Sequence, residues 1–263
     1  MTSLYTGVAL SVPLFAVIGP AGTVWLRNSF AALIFLVIAR PRLRGRPLGD
    51  LAAAGALGLV SAGTALCTFE AIARIPLATE VAISLLGPLS LAVARRSGRW
   101  GLVWPLLALA GVLLLTQPWQ GAIDGLGVVF AFGSGASWAG YILLTQRIGD
   151  RFQGLGGLAV SLPVSALALT VVGAPQAVGE LSWGVVLACA GLAVLVPVLP
   201  YALELLALRR LTTAAFGTLM SLEPVVALIM GMVFLGQAAG PTQMAAIGLV
   251  TLAAVGAARE GKR

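Results

Sequence analysis

The sequence predicts an all-α membrane protein of about ten transmembrane helices, the first of them short, arranged as two inverted five-helix repeats. Three observations carry this expectation. Of 263 residues, 59% are hydrophobic and 10% charged, and the mean hydropathy is +1.03. A soluble domain of this length needs a polar exterior that such a composition cannot supply. Apolar runs recur along the whole chain, and the basic residues fall between them with a one-sided bias.

Separated by Gly, Pro or charge, the runs read as helices near 4–18, 21–39, 51–72, 75–94, 101–117, 125–145, 155–173, 182–207, 213–236 and 241–258. Gly19-Pro20 divides the first two, and the basic stretch Arg40 to Arg46 closes the second. Arg74 and Pro76 mark the third-to-fourth turn, and Arg95-Arg96 end the fourth. Gln117 to Asp124 joins the fifth to the sixth, Arg147 and Arg151 flank the next turn, Arg209-Arg210 close the eighth, and Gly236 the ninth. A span takes about 20 apolar residues. From Met1 to Ile18 there is little room to cross about 30 Å of hydrocarbon, so either the start lies upstream or this helix enters only part way. Met1 to Pro20 has no basic leader segment, so no cleavable signal peptide is expected.

With the N-terminus placed inside, fourteen of the sixteen basic residues fall in cytoplasmic loops or the C-terminal tail, and only Arg74 falls in an opposite loop. Arg27 lies within the second run. That is the asymmetry of the positive-inside rule, and it puts both termini in the cytoplasm. It also argues against reading the sequence pI of about 10.7 as nucleic-acid binding. Residues 1–117 and 125–258 form the two units, with 259–263 a cytoplasmic tail. Displaced by about 136 residues, Gly87-Pro88 falls on Glu223-Pro224 and Ile75 on Leu211. Five is odd, so the second unit starts on the opposite side from the first, and secondary transporters of this kind place the substrate at the repeat interface.

Four carboxylates stand inside runs that otherwise read as membrane: Glu70, Glu80, Glu204 and Glu223. Ionisable groups are costly in hydrocarbon and usually mark a substrate or proton route. Glu223, beside Pro224 and after Ser221, is the leading cavity carboxylate. Glu204 reads equally as a binding group or as one reaching the interface. Arg74 offers an ion pair to either Glu70 or Glu80. Arg27 could hold a substrate carboxylate, pair with Glu80, or snorkel. Trp138 and Tyr141 share a helix face and would wall a cavity or simply pack. Pro88, Pro200 and Pro224 are hinge candidates. Cys67 and Cys189 read as small packing residues. Without His or a Cys cluster no metal site or cofactor is implied, and no Ser/His pair suggests an enzyme.

Leu199-Pro200-Tyr201-Ala202-Leu203-Glu204 and Phe216-Gly217-Thr218-Leu219-Met220-Ser221-Leu222-Glu223-Pro224, with Gly135-Ala136-Ser137-Trp138-Ala139-Gly140-Tyr141 and Arg74-Ile75-Pro76-Leu77, closely resemble the EamA-type drug/metabolite transporters. Specifically they resemble the threonine/homoserine exporter group. The resemblance covers nearly the whole chain and is strongest at 124–258. It implies a ten-helix inverted-repeat carrier in a bacterial inner membrane that exports small neutral amino acids, in exchange for protons. Three departures stand out. The group commonly carries a glutamate where this chain has Ser84, and Glu80 lies one turn away on roughly the same face. It often shows Gly-Glu where Gly236-Gln237 stands. Its first helix is longer.

The expected partners are therefore the bilayer, an amino acid and protons, with no nucleic acid. Glu223 with Glu80 or Glu204 would take a substrate ammonium. Arg27, Ser84, Ser221 or Tyr141 would take its carboxylate. Proton coupling falls to Glu223 or Glu80. Efflux of apolar cations and a non-transporting assembly or sensor subunit are the competing expectations.

Overall fold

The computed structural model describes residues 1–39, 47–94, 103–116, 123–148, 156–200, 203 and 222–260. Every regular element among them is helical. The chain opens with α1 (Thr2–Ser11), a 3-10 turn at Val12–Leu14 and α2 (Phe15–Ala39). Pro13 has no N–H to donate, which loosens the helix at that turn. Within α2 the helix breaks at Gly19, with φ 68° and ψ 166°. An L side chain rarely adopts this conformation, and Pro20 then restarts the helix where a missing N–H costs nothing. The boundary expected at Gly19-Pro20 is thus a sharp break in one apolar tract running from Thr2 to Ala39.

Next come α3 (Leu48–Ile72), α4 (Leu77–Ser84), α5 (Leu86–Ala94), α6 (Val103–Thr116), α7 (Gly125–Ile148) and α8 (Gly156–Ala177). The fourth expected helix is interrupted at Leu85. Pro88 cannot donate to the Ser84 carbonyl, so the ladder has a gap there. Asp124 caps α7, its Oδ1 accepting from the Leu126 and Gly127 amides at 2.8 and 3.0 Å, which fills two of the orphan positions at a helix start.

The eighth expected helix, 182–207, is also not continuous. Helix α9 (Trp183–Ala193) starts on a Ser182 cap and passes into a wide turn at Val194–Val198, where Val196 is extended (φ −149°, ψ 114°). The Ser3 hydroxyl of α1 donates to the Leu195 carbonyl at 3.1 Å, and the side chain of Val196 seats on Gly7. Irregular backbone is tolerated at membrane depth only where protein or a cavity satisfies it, and α1 does so here. Then α10 (Glu223–Leu235) ends on left-handed Gly236, and α11 (Pro241–Glu260) follows.

Among the described residues four tracts are long and apolar enough to cross a membrane: Thr2–Ala39, Leu48–Ile72, Gly125–Thr145 and Gly157–Glu180. The other apolar helices described are shorter. Large apolar side chains point outward, among them Val171 at 78% and Leu167 at 72% exposure. That surface suits lipid, not water. Inside, helix α2 packs along α8, α3 along α7 and α8, α4 on α7 and α10, and α6 along α11. Tyr5, Val24, Phe69, Val81, Leu169, Val196 and Ala227 meet in one central cluster.

Candidate functional site

Glu80 sits in the first turn of α4 and is 2% exposed. The hydroxyls of Thr68 from α3 and Ser134 from α7 stand beside its carboxyl group and bond each other at 2.8 Å. Its Oε1 has no hydrogen-bond partner among the described residues. Ser84, one turn on, is equally buried and donates to the Val81 carbonyl at 3.1 Å. The seat is tight because α4 and α5 cross α7 backbone to backbone. A Cβ at Gly87 would run into the Gly135 carbonyl, and one at Gly135 would lie 2.7 Å from the Ser84 oxygen. Glycine at both positions is what allows so close an approach.

The start of α4 is tied as well. Gln237 Oε1 accepts from the Leu77 amide at 3.2 Å, capping α4 from beyond α10. Gln176 of α8 does the same for α2, accepting from the Gly22 amide at 3.3 Å. The Gly236-Gln237 departure therefore has a structural use.

Arg27 is 3% exposed, so it does not snorkel to a surface. Its guanidinium lies 4.4 Å from the Phe69 ring centre, a cation–π distance, and Phe15 braces the same ring at 5.4 Å. Next to it Asn28 donates to the Ser165 hydroxyl at 3.2 Å. Arg74 pairs with Glu70 at 2.6 Å and covers Phe130 at 5.2 Å. Arg74 thus goes to Glu70 and leaves Glu80 to the two hydroxyls.

Glu223 is 2% exposed. Expected in mid-helix, it stands instead as the first residue of α10. Pro224 explains the shift, since the first turn is where proline fits, and a carboxylate at that end meets the positive pole of the helix. Val81 beside Glu80, Phe69 beneath Arg27 and Ala227 one turn past Glu223 share the central cluster. The elements bearing Glu80, Arg27 and Glu223 therefore converge.

Trp138 and Tyr141 are not brought together. Trp138 packs against the cluster of Ile83, Leu85 and Val112, and Tyr141 against Ala54 and Leu57. Among the hinge candidates, Pro88 follows the Leu85 interruption, Pro200 is buried just beyond the Val196 break, and Pro224 opens α10. Glu204 and Ser221 lie outside the described residues. Cys67 and Cys189 are both free thiols. No group of three or more His, Cys, Asp or Glu side chains able to hold a metal occurs among the described residues.

Thr68, Ser134 and Phe69 were not singled out from the sequence. A hydroxyl in the apolar run Cys67-Thr68-Phe69-Glu70 and the small Gly133-Ser134-Gly135 step were the only visible hints.

Buried carboxylates, a buried guanidinium and interrupted helices thus gather around one core. A model of the EamA-like transporter family matches residues 125–259. Threonine/homoserine exporter RhtA of Escherichia coli strain K12 is 36% identical over 265 residues, covering 97% of this chain and 88% of that one. RhtA of Salmonella typhimurium strain LT2 is 35% identical over 260 residues with the same coverage. An uncharacterized transporter of Bacillus subtilis, YwfM, is 30% identical over 72% of this chain and 63% of its own. With likeness of this extent running from end to end, the chain belongs to the EamA-like transporter family.

Proposed function

We propose that this protein is a bacterial inner-membrane secondary transporter that exports small neutral amino acids of the threonine and homoserine kind in exchange for protons. The observation that carries the reading is the 36% identity over 97% of the chain to exporters named for those substrates. The site chemistry supports it. A zwitterion needs an anionic partner for its ammonium and a donor for its carboxylate. Glu223 is the group for the first role, with Glu80 or Glu204 as the second carboxylate. Arg27 serves the second role through its planar fork, with Ser84, Ser221 and Tyr141 as further donors.

The helix pairing supports two inverted units, 1–117 and 125–258. In ten-helix counting, the second helix lies along the seventh, the fourth on the ninth and the fifth along the tenth, each pair mapping onto itself under a five-helix exchange. The third-with-sixth pairing is mirrored by contact of α1 with the broken eighth helix, and the sixth-with-fourth by α1 with α10. Rocking one unit against the other would expose the site alternately. The basic loops support cytoplasmic termini on both ends.

The test is counterflow of labelled threonine and homoserine in proteoliposomes, for wild type and Glu223→Gln. Flux in wild type and a loss of about tenfold or more in a normally expressed Glu223→Gln variant is the expected result. Full flux in the variant would remove Glu223 from the site. Absence of flux in wild type, in the presence of flux of another solute, would remove the substrate assignment.

A further inference from the structure

Resting on the exchange reading above, we propose that Glu80, Thr68 and Ser134 form a proton-binding site, and that of the two roles open to Glu80 it carries the exchanged proton and not the substrate ammonium. The carboxyl is sealed, with 2% exposure and an Oε1 that no described group contacts by a hydrogen bond. Among the described residues no arginine or lysine stands within ion-pair distance of it, Arg74 being held by Glu70. An ionised carboxylate enclosed in this way is heavily penalised, and the neutral acid is not.

The surroundings suit a neutral acid. The Thr68–Ser134 pair can accept from the acid O–H and donate to its C=O, since each hydroxyl does both. A metal cation asks for about six oxygen ligands, more than one carboxyl and two hydroxyls provide. The other titratable groups with described side chains on the packed elements are Asp50, Cys67 and Glu70 on α3, Tyr141 on α7 and Glu223 on α10. Residues 86–91 of α5, 103–115 of α6 and 241–256 of α11 bring none. No cation among these compensates a charge on Glu80.

The placement of the two hydroxyls supplies the coupling. Thr68 comes from the first half and Ser134 from the second. Parting of the halves separates them and opens Glu80 to water, so proton release follows the same motion that turns the site around. The balance is one proton bound at Glu80 on one side of the membrane and one released on the other, for each amino acid moved the opposite way.

The experiment uses the full chain in proteoliposomes with homoserine as probe. Glu80→Gln has the shape of the neutral acid and cannot release a proton. For one-to-one exchange, a gradient of about one pH unit drives roughly tenfold accumulation, and Glu80→Gln is expected to collapse the ratio of gradient-driven to counterflow flux to about one. An undiminished ratio in a monodisperse variant overturns the proposal. Infrared difference spectra on acidification give a readout independent of substrate. A protonated-carboxyl band should be present in wild type, absent in Glu80→Gln and shifted in Ser134→Ala. A band that survives Glu80→Gln unchanged overturns the site. A Glu80-dependent band in a wild type that moves neither threonine nor homoserine upholds the proton site while removing the substrate reading.

Discussion

Replacing Gly87 by alanine probes how tightly the fourth helix is seated on α7. An ideal Cβ at 87 would lie 2.5 Å from the Gly135 carbonyl carbon, 3.0 Å from its Cα and closer still to its oxygen. Ordinary contact begins at 3.4 Å, so the two helices must part by about 1.5 Å to clear the oxygen. All three atoms met are backbone, so no rotamer change can absorb the clash. Overpacking costs about 1–3 kcal/mol, and a backbone clash belongs at the upper end. The better helix propensity of alanine returns about 1 kcal/mol. The net loss is about 2 kcal/mol, and at about 2–4 °C per kcal/mol for a chain of this size the Tm should fall by roughly 4–8 °C. Gly55→Ala is the control, because a Cβ there meets nothing within 4 Å. That substitution should raise the Tm by about 1–4 °C. Both can be read from tryptophan fluorescence on heating the purified protein in detergent, the chain having six tryptophans. If Gly87→Ala melts at or above the wild type, the backbone crossing is not as close as described.

Two further outcomes follow from contacts already described. Arg27→Lys keeps the charge but loses the planar face stacked on Phe69, so it should cost about 0.5–2 kcal/mol. A double-mutant cycle with Phe69→Leu should return a coupling well above about 0.3–0.5 kcal/mol, and additivity within that limit would dismiss the stack. Gln237→Ala leaves the Leu77 amide without its acceptor and should cost about 0.5–2 kcal/mol, with faster hydrogen exchange at Leu77 and none of the change at Leu57. Gln237→Glu keeps an acceptor and should restore most of the protection.

How much of this was legible depends on whether a feature is written locally. Gly19-Pro20 announces a break in two adjacent letters. The interruptions at Leu85 and Val196 are less visible. Proline occurs at many positions in these runs, and what makes Pro197 the site of a broken helix is the seat that α1 provides through Ser3 and Gly7, almost two hundred residues away. The same distance effect governs the site. Glu80, Glu223 and Arg27 are conspicuous because charge is rare in apolar runs. Thr68 and Ser134 are ordinary hydroxyls until the fold sets them beside one carboxylate, and Arg74's preference for Glu70 over Glu80 is decided by helical spacing, the pair being four residues apart on one helix face. Trp138 and Tyr141 satisfy the spacing rule for a shared face and still enter different clusters, because α7 is contacted from several sides at once.

The two glutamine caps have a consequence for biogenesis. Each joins an amide to a side chain made far later: Leu77 precedes Gln237 by 160 residues, and Gly22 precedes Gln176 by 154. At about 5–20 residues per second, the ribosome needs roughly 8–30 s to deliver each acceptor after its donor. For that interval two helix starts in the first half have only water, lipid headgroups or the insertion machinery to satisfy them. The first half cannot reach its final packing as it emerges, and a gene split between the halves would have to supply both pieces to the same membrane at the same time.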